Sequence, residues 1–284
     1  MTNIRQVITP RSLQDALKLL QEPGIRPIAA GTDIIPAARD GALPDLSLLD
    51  LTPLKPVLSG IRAEGGALRI GALTTHTSIS ESRLVQAFMP VLSTACGQIG
   101  SVQIRNRATL GGNIVNASPA ADSVPILVAA GASVIIKTAS GMTQMPIADF
   151  LVGVRKTQLP PGGLVTEIVV PIPNGGWRGG YYKVGGRTSL TIAIVSAAII
   201  KNGDDWRVAY GSMSAKISRC SPVEAYLSSA QCAERTELFK LISGALTPIS
   251  DVRASAEYRL DVAANITWLG YSELMTQCQW QQRS

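Results

Sequence analysis

"TLGGNIVNASPAADSVPILVAAGASVII", Thr109–Ile136, is the stretch on which the reading of this chain turns. It opens on the glycine pair Gly111-Gly112 and passes through small polar residues. It then runs without a break into DSVPILVAAG, which fits a helix started by Asp122, and ASVIIKT, which fits a strand. Small side chains let a backbone approach a ligand closely, and glycines permit turns that point successive N–H groups into one anion-binding nest. A diphosphate suits such a nest. PIAAGTDI, Pro27–Ile34, has the same texture. Either stretch alone is more readily a tight turn in any α/β protein, but two in one half of a chain point to a cradle for a phosphorylated cofactor.

Around these loops the pattern alternates between helix and strand. Upstream, SLQDALKLLQEPG predicts a short helix with Ser12 capping toward Asp15, an apolar face of Leu13, Ala16, Leu17 and Leu20, and a stop at Pro23-Gly24. RPIAAG and LPDLSLLDL read as strands, the first ending in the small-residue turn, and GIRAEGGALRIGAL as a hairpin around Gly65-Gly66. ISESRLVQAFMPVLSTACGQIG reads as helical turns interrupted at Pro90. Gly141 marks a turn before MPIADFL, and GGLVTEIVVPIP is a strand stopped by prolines. Beyond Pro173 come glycine-rich strands with a hairpin turn at Asn202-Gly203. Three helical segments follow, SPVEAYLSSA, CAERTELFKLISGAL and SDVRASAEYRLDVAANITWLGYSEL. The expected division is a larger α+β half, 1–173, and a smaller one, 174–284.

Composition narrows the chemistry. The chain has 284 residues, 46% hydrophobic and 16% charged, which excludes a disordered chain, and no apolar run reaches the roughly 18 residues of a membrane span. The start carries no signal-peptide pattern, so a cytoplasmic protein is expected. A net charge of +6 and a pI near 9.3 invite a polyanion, yet the cations are dispersed and aromatics make up only 5%, which argues against nucleic acid. The four cysteines, Cys96, Cys220, Cys232 and Cys278, form no C-x-x-C pair, and buried thiols are expected. His76 is the only histidine, which rules out a multi-histidine metal site within the chain; it reads as a hydrogen-bonded structural residue. A cofactor, rather than the chain's own acid–base groups, is then the carrier of any reaction. Neither G-x-G-x-x-G after the first strand nor G-x-x-x-x-G-K-[ST] occurs, so the common nucleotide folds are not written here. Arg105 and Arg107, just before the second loop, serve either as diphosphate partners or, preferably, as braces for the loop. Tyr181 and Tyr182 read as core aromatics before cofactor contacts.

PIAAGTDIIP, GQIGSVQIRNRATLGGNIVNASPAADSVPILVAAGASV, LVTEIVVPIP, YYKVGGRTSLTIAIVSAAI and SAEYRLDVA together resemble the FAD-binding medium subunit of molybdenum hydroxylases, the xanthine, carbon monoxide and nicotinate dehydrogenase group. The resemblance implies an α+β protein: a PCMH (vanillyl-alcohol-oxidase) type FAD-binding domain over 1–173, with subdomains of about 1–56 and 57–173, then a C-terminal domain of the carbon monoxide dehydrogenase flavoprotein type. It implies non-covalent FAD held by a first loop of Pro27, Ile28, Ala29, Ala30, Gly31, Thr32, Asp33 and Ile34. Thr109, Leu110, Gly111, Gly112 and Asn113 would form the second. Asp122 would face the ribose or adenine end, with Val165 and Lys183 near the flavin ring. It also implies a large molybdopterin subunit, a small [2Fe-2S] subunit, a dimer of heterotrimers and an acceptor such as NAD or another carrier. The alternatives are a stand-alone FAD oxidoreductase of the same fold and a flavin-free structural subunit. Two positions depart from the family pattern. Ala30 stands in AAGTD where A-G-G-T-D is common, which requires negative φ there, and Thr191 stands in RTSLTIA where an aspartate is usual.

Overall fold

The computed structural model describes residues 4–187, 191–230 and 232–281; the middle of RTSLTIA therefore lies outside the described residues, as does the Cys278 side chain. The first unit comprises β1 (Ile4–Ile8), α1 (Leu13–Leu19), β2 (Ile25–Ile28), α2 (Ile34–Arg39) and β3 (Leu46–Asp50), with a parallel sheet in the order β1-β3-β2. The expected cap of α1 is present: the Asp15 amide donates to Ser12 Oγ at 3.1 Å, and the Asp15 carboxylate accepts from the Arg11 amide at 2.8 Å. Two elements were not expected. β1, IRQVI, has only its end residues half-buried and so lacks an alternating signal. α2 tolerates Pro36 because it lies in the first turn, where amides have no intrahelical partner.

After a 3₁₀ turn at Thr52–Leu54 and α3 (Lys55–Leu58), the second unit is built on an antiparallel sheet. Its strands are β4 (Ile61–Glu64), β5 (Ala67–Gly71), β6 (Ser133–Thr138), β7 (Gly141–Pro146) and β10 (Leu164–Pro171), in the order β4-β5-β10-β6-β7. Gly65 and Gly66, with φ of +60° and +71°, make the expected tight hairpin. Between β5 and β6 lie α4 (His76–Ser80), α5 (Arg83–Phe88), α6 (Pro90–Gly97), α7 (Val102–Arg105), α8 (Leu110–Asn116) and α9 (Val124–Ala129). Pro90 breaks α5 from α6 as expected, since the residue before proline is driven out of the helical region; Met89 sits at φ −146°. α9 starts two residues later than expected, because Asp122 is engaged elsewhere. The turn at Gly141 opens a whole edge strand, β7, ahead of α10 (Ile147–Phe150) and the small hairpin β8 (Leu151–Gly153) and β9 (Lys156–Thr157). Leu73 and Leu164 of this unit join Ala16, Leu17, Leu49 and Leu58 in one apolar cluster, which seats the first unit on the second.

The last unit is an antiparallel sheet in chain order, β11 (Arg178–Gly185), β12 (Ala193–Asn202), β13 (Asp205–Gly211) and β14 (Ser218–Arg219), followed by α11 (Ser221–Ser229), α12 (Arg235–Ala245) and α13 (Ala256–Gln281). β12 is buried on both faces, which explains why its sequence is apolar from Ala193 to Ile200 but for the small Ser196. Val195, Ala197 and Ile199 pack with the core carrying Leu238 and Ile242, whereas Ala198 and Ile200 join the core of α6 and α9. The sheet is thus clamped between the second unit and its own helices. Among the described residues no helix is long and apolar enough to cross a membrane.

Candidate functional site

The two small-residue loops differ once their amides are followed. In the first, the β2 ladder ends with the Leu51 amide donating to the Ile28 carbonyl at 2.9 Å, and the chain then turns through Gly31 at φ +75°. Ala30 is not among the residues with positive φ, so its methyl is accommodated as the sequence requires; Gly31 carries the left-handed conformation instead. A Cβ on Gly31 would also lie 2.7 Å from Ile35 Cγ1. The Ile35 amide returns to the Gly31 carbonyl at 3.1 Å and starts α2. Among the described residues, the amides of Ala30, Gly31, Thr32, Asp33 and Ile34 donate to no protein acceptor. Pro27, Ile28, Ala29, Ala30, Gly31, Thr32 and Ile34 are half-buried and Asp33 is exposed. Such a run of unspent donors beside small side chains is suited to phosphate oxygens.

The second loop is the first turn of α8 and has spent its donors. The amides of Leu110 and Gly111 donate to the carbonyls of Thr74 and Ala72 at 3.0 and 2.9 Å, and that of Asn113 to the Thr109 carbonyl at 3.0 Å. The Gly112 amide goes to Thr109 Oγ1, the helix cap, at 3.2 Å. The expected nest of N–H groups is therefore absent here, because the chain segment 72–74 already occupies it. The two glycines also part company. A Cβ on buried Gly111 would sit 2.7 Å from Ala72 Cβ and 2.8 Å from its carbonyl oxygen, whereas one on exposed Gly112 would meet only Thr109 Oγ1, at 3.0 Å. Gly111 admits the protein's own backbone; Gly112 leaves an open face. Asn113 is held by Ser123 Oγ, which donates to its Oδ1 at 2.8 Å.

Asp122 and Lys183, expected at different parts of the cofactor, form one buried ion pair. Lys183 Nζ donates to Asp122 Oδ2 at 2.7 Å, and Tyr181 Oη donates to Oδ1 at 2.6 Å. Lys183 and Tyr181 alternate along β11 and so present the same face, which brings the last unit onto the segment just after α8. Burial, reinforced by the Asp122 charge, pushes both the Tyr181 hydroxyl and the nearby Cys96 thiol upward. Neither is a nucleophile at neutral pH. Val165 is buried in β10 opposite Ile136. Tyr182 Oη donates to Glu273 at 2.5 Å and packs against the helical core. Thr191 covers Gly185, where a Cβ would run into the threonine side chain.

Three surrounding expectations sharpen. Arg105 braces the approach to α8 by donating to the Ile99 and Gly100 carbonyls at 3.1 and 3.0 Å, while Arg107 is exposed. His76 is fully buried, but its ring nitrogens have no hydrogen-bond partner among the described residues, and burial lowers its pKa to about 4. It is structural without being hydrogen-bonded through the ring. Cys96 and Cys220 are buried and Cys232 is exposed. A contact that sequence reasoning missed crosses between the loops: Asn116 Nδ2 donates to Asp33 Oδ1 at 2.9 Å, and Arg155 Nη1 donates to Asn116 Oδ1 at 2.6 Å. The recurrence of asparagine in NIVNAS was its only trace.

A loop of free amides tied through Asp33 and Asn116 to a helix that opens on small residues, with a buried ion pair just after that helix, is the arrangement of a cofactor-holding protein. The family described as the FAD binding domain in molybdopterin dehydrogenase matches residues 2–173, and the CO dehydrogenase flavoprotein C-terminal domain matches 180–274. The glyceraldehyde dehydrogenase medium chain of Sulfolobus acidocaldarius is 32% identical over 274 residues, covering 94% of this chain and 97% of that one. The xanthine dehydrogenase FAD-binding subunit of Escherichia coli O157:H7 is 29% identical, covering 90% and 91%. A crystal structure of the Cu,Mo-CO dehydrogenase in its cyanide-inactivated form superposes with a TM-score of 0.90 at 26% identity over 96% of this chain and 98% of the other. The chain belongs to the FAD-binding medium subunits of the molybdenum hydroxylases, an oxidoreductase family whose cofactor on this subunit is FAD. The free amides of the first loop and the open face at Gly112 fit that cofactor's diphosphate.

Proposed function

We propose that this chain holds FAD without a covalent bond between Pro27–Ile34 and Thr109–Asn113, and relays electrons within a larger hydroxylase. Iron–sulfur clusters on a small partner subunit deliver them, a molybdenum cofactor on a large partner is their source, and NAD or another carrier takes them away. The observation that carries the reading is the run of unspent amides from Ala30 to Ile34, in a loop tied to the end of α8 by the Asp33–Asn116 hydrogen bond. Bound flavin supplies the exchange between two-electron and one-electron chemistry. The chain's own residues do the rest: first-loop amides bind the diphosphate, Gly112 clears the space for it, and Asp122 with Lys183 and Tyr181 fixes the last unit beside the loops. Because Lys183 is neutralised by Asp122 at 2.7 Å, its leverage on the flavin's charge is smaller than a free ammonium would exert. The proposal includes the division at residue 173, a cytoplasmic location and assembly as a dimer of heterotrimers. Incubation of the purified chain with FAD or FMN, desalting and a visible spectrum test it. Retained FAD with no retained FMN is the expected result, since FMN lacks the diphosphate bridge; retention of neither, alone or with the partner subunits, contradicts it.

A further inference from the structure

We infer that Asn116 is a positioning residue, the middle member of a clasp that sets the separation of the two cofactor loops. The inference rests on the reading that FAD lies between them. Asp33 lies at the end of the first loop, Asn116 ends α8, and Arg155 stands at the tip of the β8–β9 hairpin, so the chain of two hydrogen bonds joins the first unit to the second. Asn116 is suited to the middle place because it carries one donor group and one acceptor group: its amide nitrogen faces the carboxylate at 2.9 Å and its oxygen faces the guanidinium at 2.6 Å. The reversed amide would set donor against donor and acceptor against acceptor, so only one orientation is consistent with both neighbours.

The backbone at the same spot is held in an uncommon form. Ala117 and Arg155 have φ of 47° and 53°, and the Arg155 amide donates to the Ala117 carbonyl at 3.0 Å. Non-glycine residues enter the left-handed region at a cost, and two hydrogen-bonded to each other mark a place where the fold gives up local comfort to aim side chains. The side chains so aimed are Asn116, directly before Ala117, and Arg155 itself. Aspartate at 116 would keep Arg155 as a partner and confront Asp33 with a like charge, whereas asparagine at 33 would then donate to it and restore the clasp.

Four proteins test this: wild type, Asn116→Asp, Asp33→Asn and the double variant, each by hydrogen exchange of peptides spanning 29–40 in flavin-free protein and by FAD dissociation constant from flavin fluorescence. Asn116→Asp is expected to speed exchange and weaken FAD about tenfold. Asp33→Asn, setting amide against amide, is expected to loosen both measures by a smaller factor, and the double variant to return both to within about twofold of wild type. Single effects that simply add in the double variant, or an Asn116→Asp protein indistinguishable from wild type, overturn the clasp. Should Asn116→Asp fail to fold, Asn116→Ser gives the same exchange test, with unchanged exchange over 29–40 as the contradicting result. Wild type that takes up no FAD, alone or with the partner subunits, would contradict the cofactor reading, while the exchange series would still decide the clasp.

Discussion

The loops at Pro27–Ile34 and Thr109–Asn113 look alike as sequence and work oppositely as structure. The first leaves the amides of Ala30–Ile34 unspent among the described residues; the second gives the amides of Leu110–Asn113 to Thr74, Ala72 and its own Thr109. One loop keeps its donors free, and the other spends them and leaves an open glycine face. The difference teaches that a glycine pair does not identify an anion nest until the partners of the neighbouring amides are known, since close backbone approach and ligand approach ask for the same residue.

Four perturbations separate the roles, beginning with the largest. Lys183→Met leaves the Asp122 carboxylate buried with only Tyr181, and is expected to cost about 3–5 kcal/mol in a denaturant melt. Asp122→Leu combined with Lys183→Met should recover much of that loss, as no charge is then stranded. Next, His76 beneath the second loop makes stability depend on pH. With a native pKa of about 4 and an ordinary value of 6.5, the unfolded chain binds a proton in that window and the native chain does not. Stability is complete above 6.5 and falls as pH drops through 4, by about 1.4 kcal/mol per unit within the window and about 3 kcal/mol in all. Urea midpoints at pH 7 and pH 5 for wild type and His76→Leu check this, the variant losing less on acidification. Gly111→Ala drives a methyl to 2.7 Å from Ala72 Cβ and is expected to cost about 1–3 kcal/mol, read as a lowered thermal midpoint with or without flavin. Gly112→Ala, by contrast, asks Thr109 Oγ1 to yield only a few tenths of an ångström and should change stability by less than about 1 kcal/mol. Its effect belongs to FAD affinity. Equal thermal losses at Gly111 and Gly112 would erase the distinction.

Much of the fold was legible because several elements obey local rules: the Ser12 cap, the Gly65-Gly66 hairpin, the Pro90 break and the Asn202-Gly203 turn all stand where the residues put them. What escaped depends on distant partners. β1 has no alternation to announce it, and its place is set by pairing with β3. β12 shows an apolar run whose cause, a core on each face, requires both the second unit and α11–α13. At the site, the resemblance named candidate residues but not the contacts they make with one another. Asp122 reads locally as a helix starter, yet Lys183 and Tyr181, far along the chain, claim both its oxygens. Nothing near Asn116 in sequence declares that Asp33 and Arg155 will flank it.

The most direct test of the division of labour is FAD retention by wild type and Gly112→Leu, measured as the visible spectrum after loading and desalting, with the thermal midpoint recorded on the same samples. Wild type should keep a flavin band and Gly112→Leu should lose it at a nearly unchanged midpoint, because the added side chain fills the open face and not the core. A Gly112→Leu protein that retains FAD as wild type does would contradict the claim that the cofactor lies against this loop.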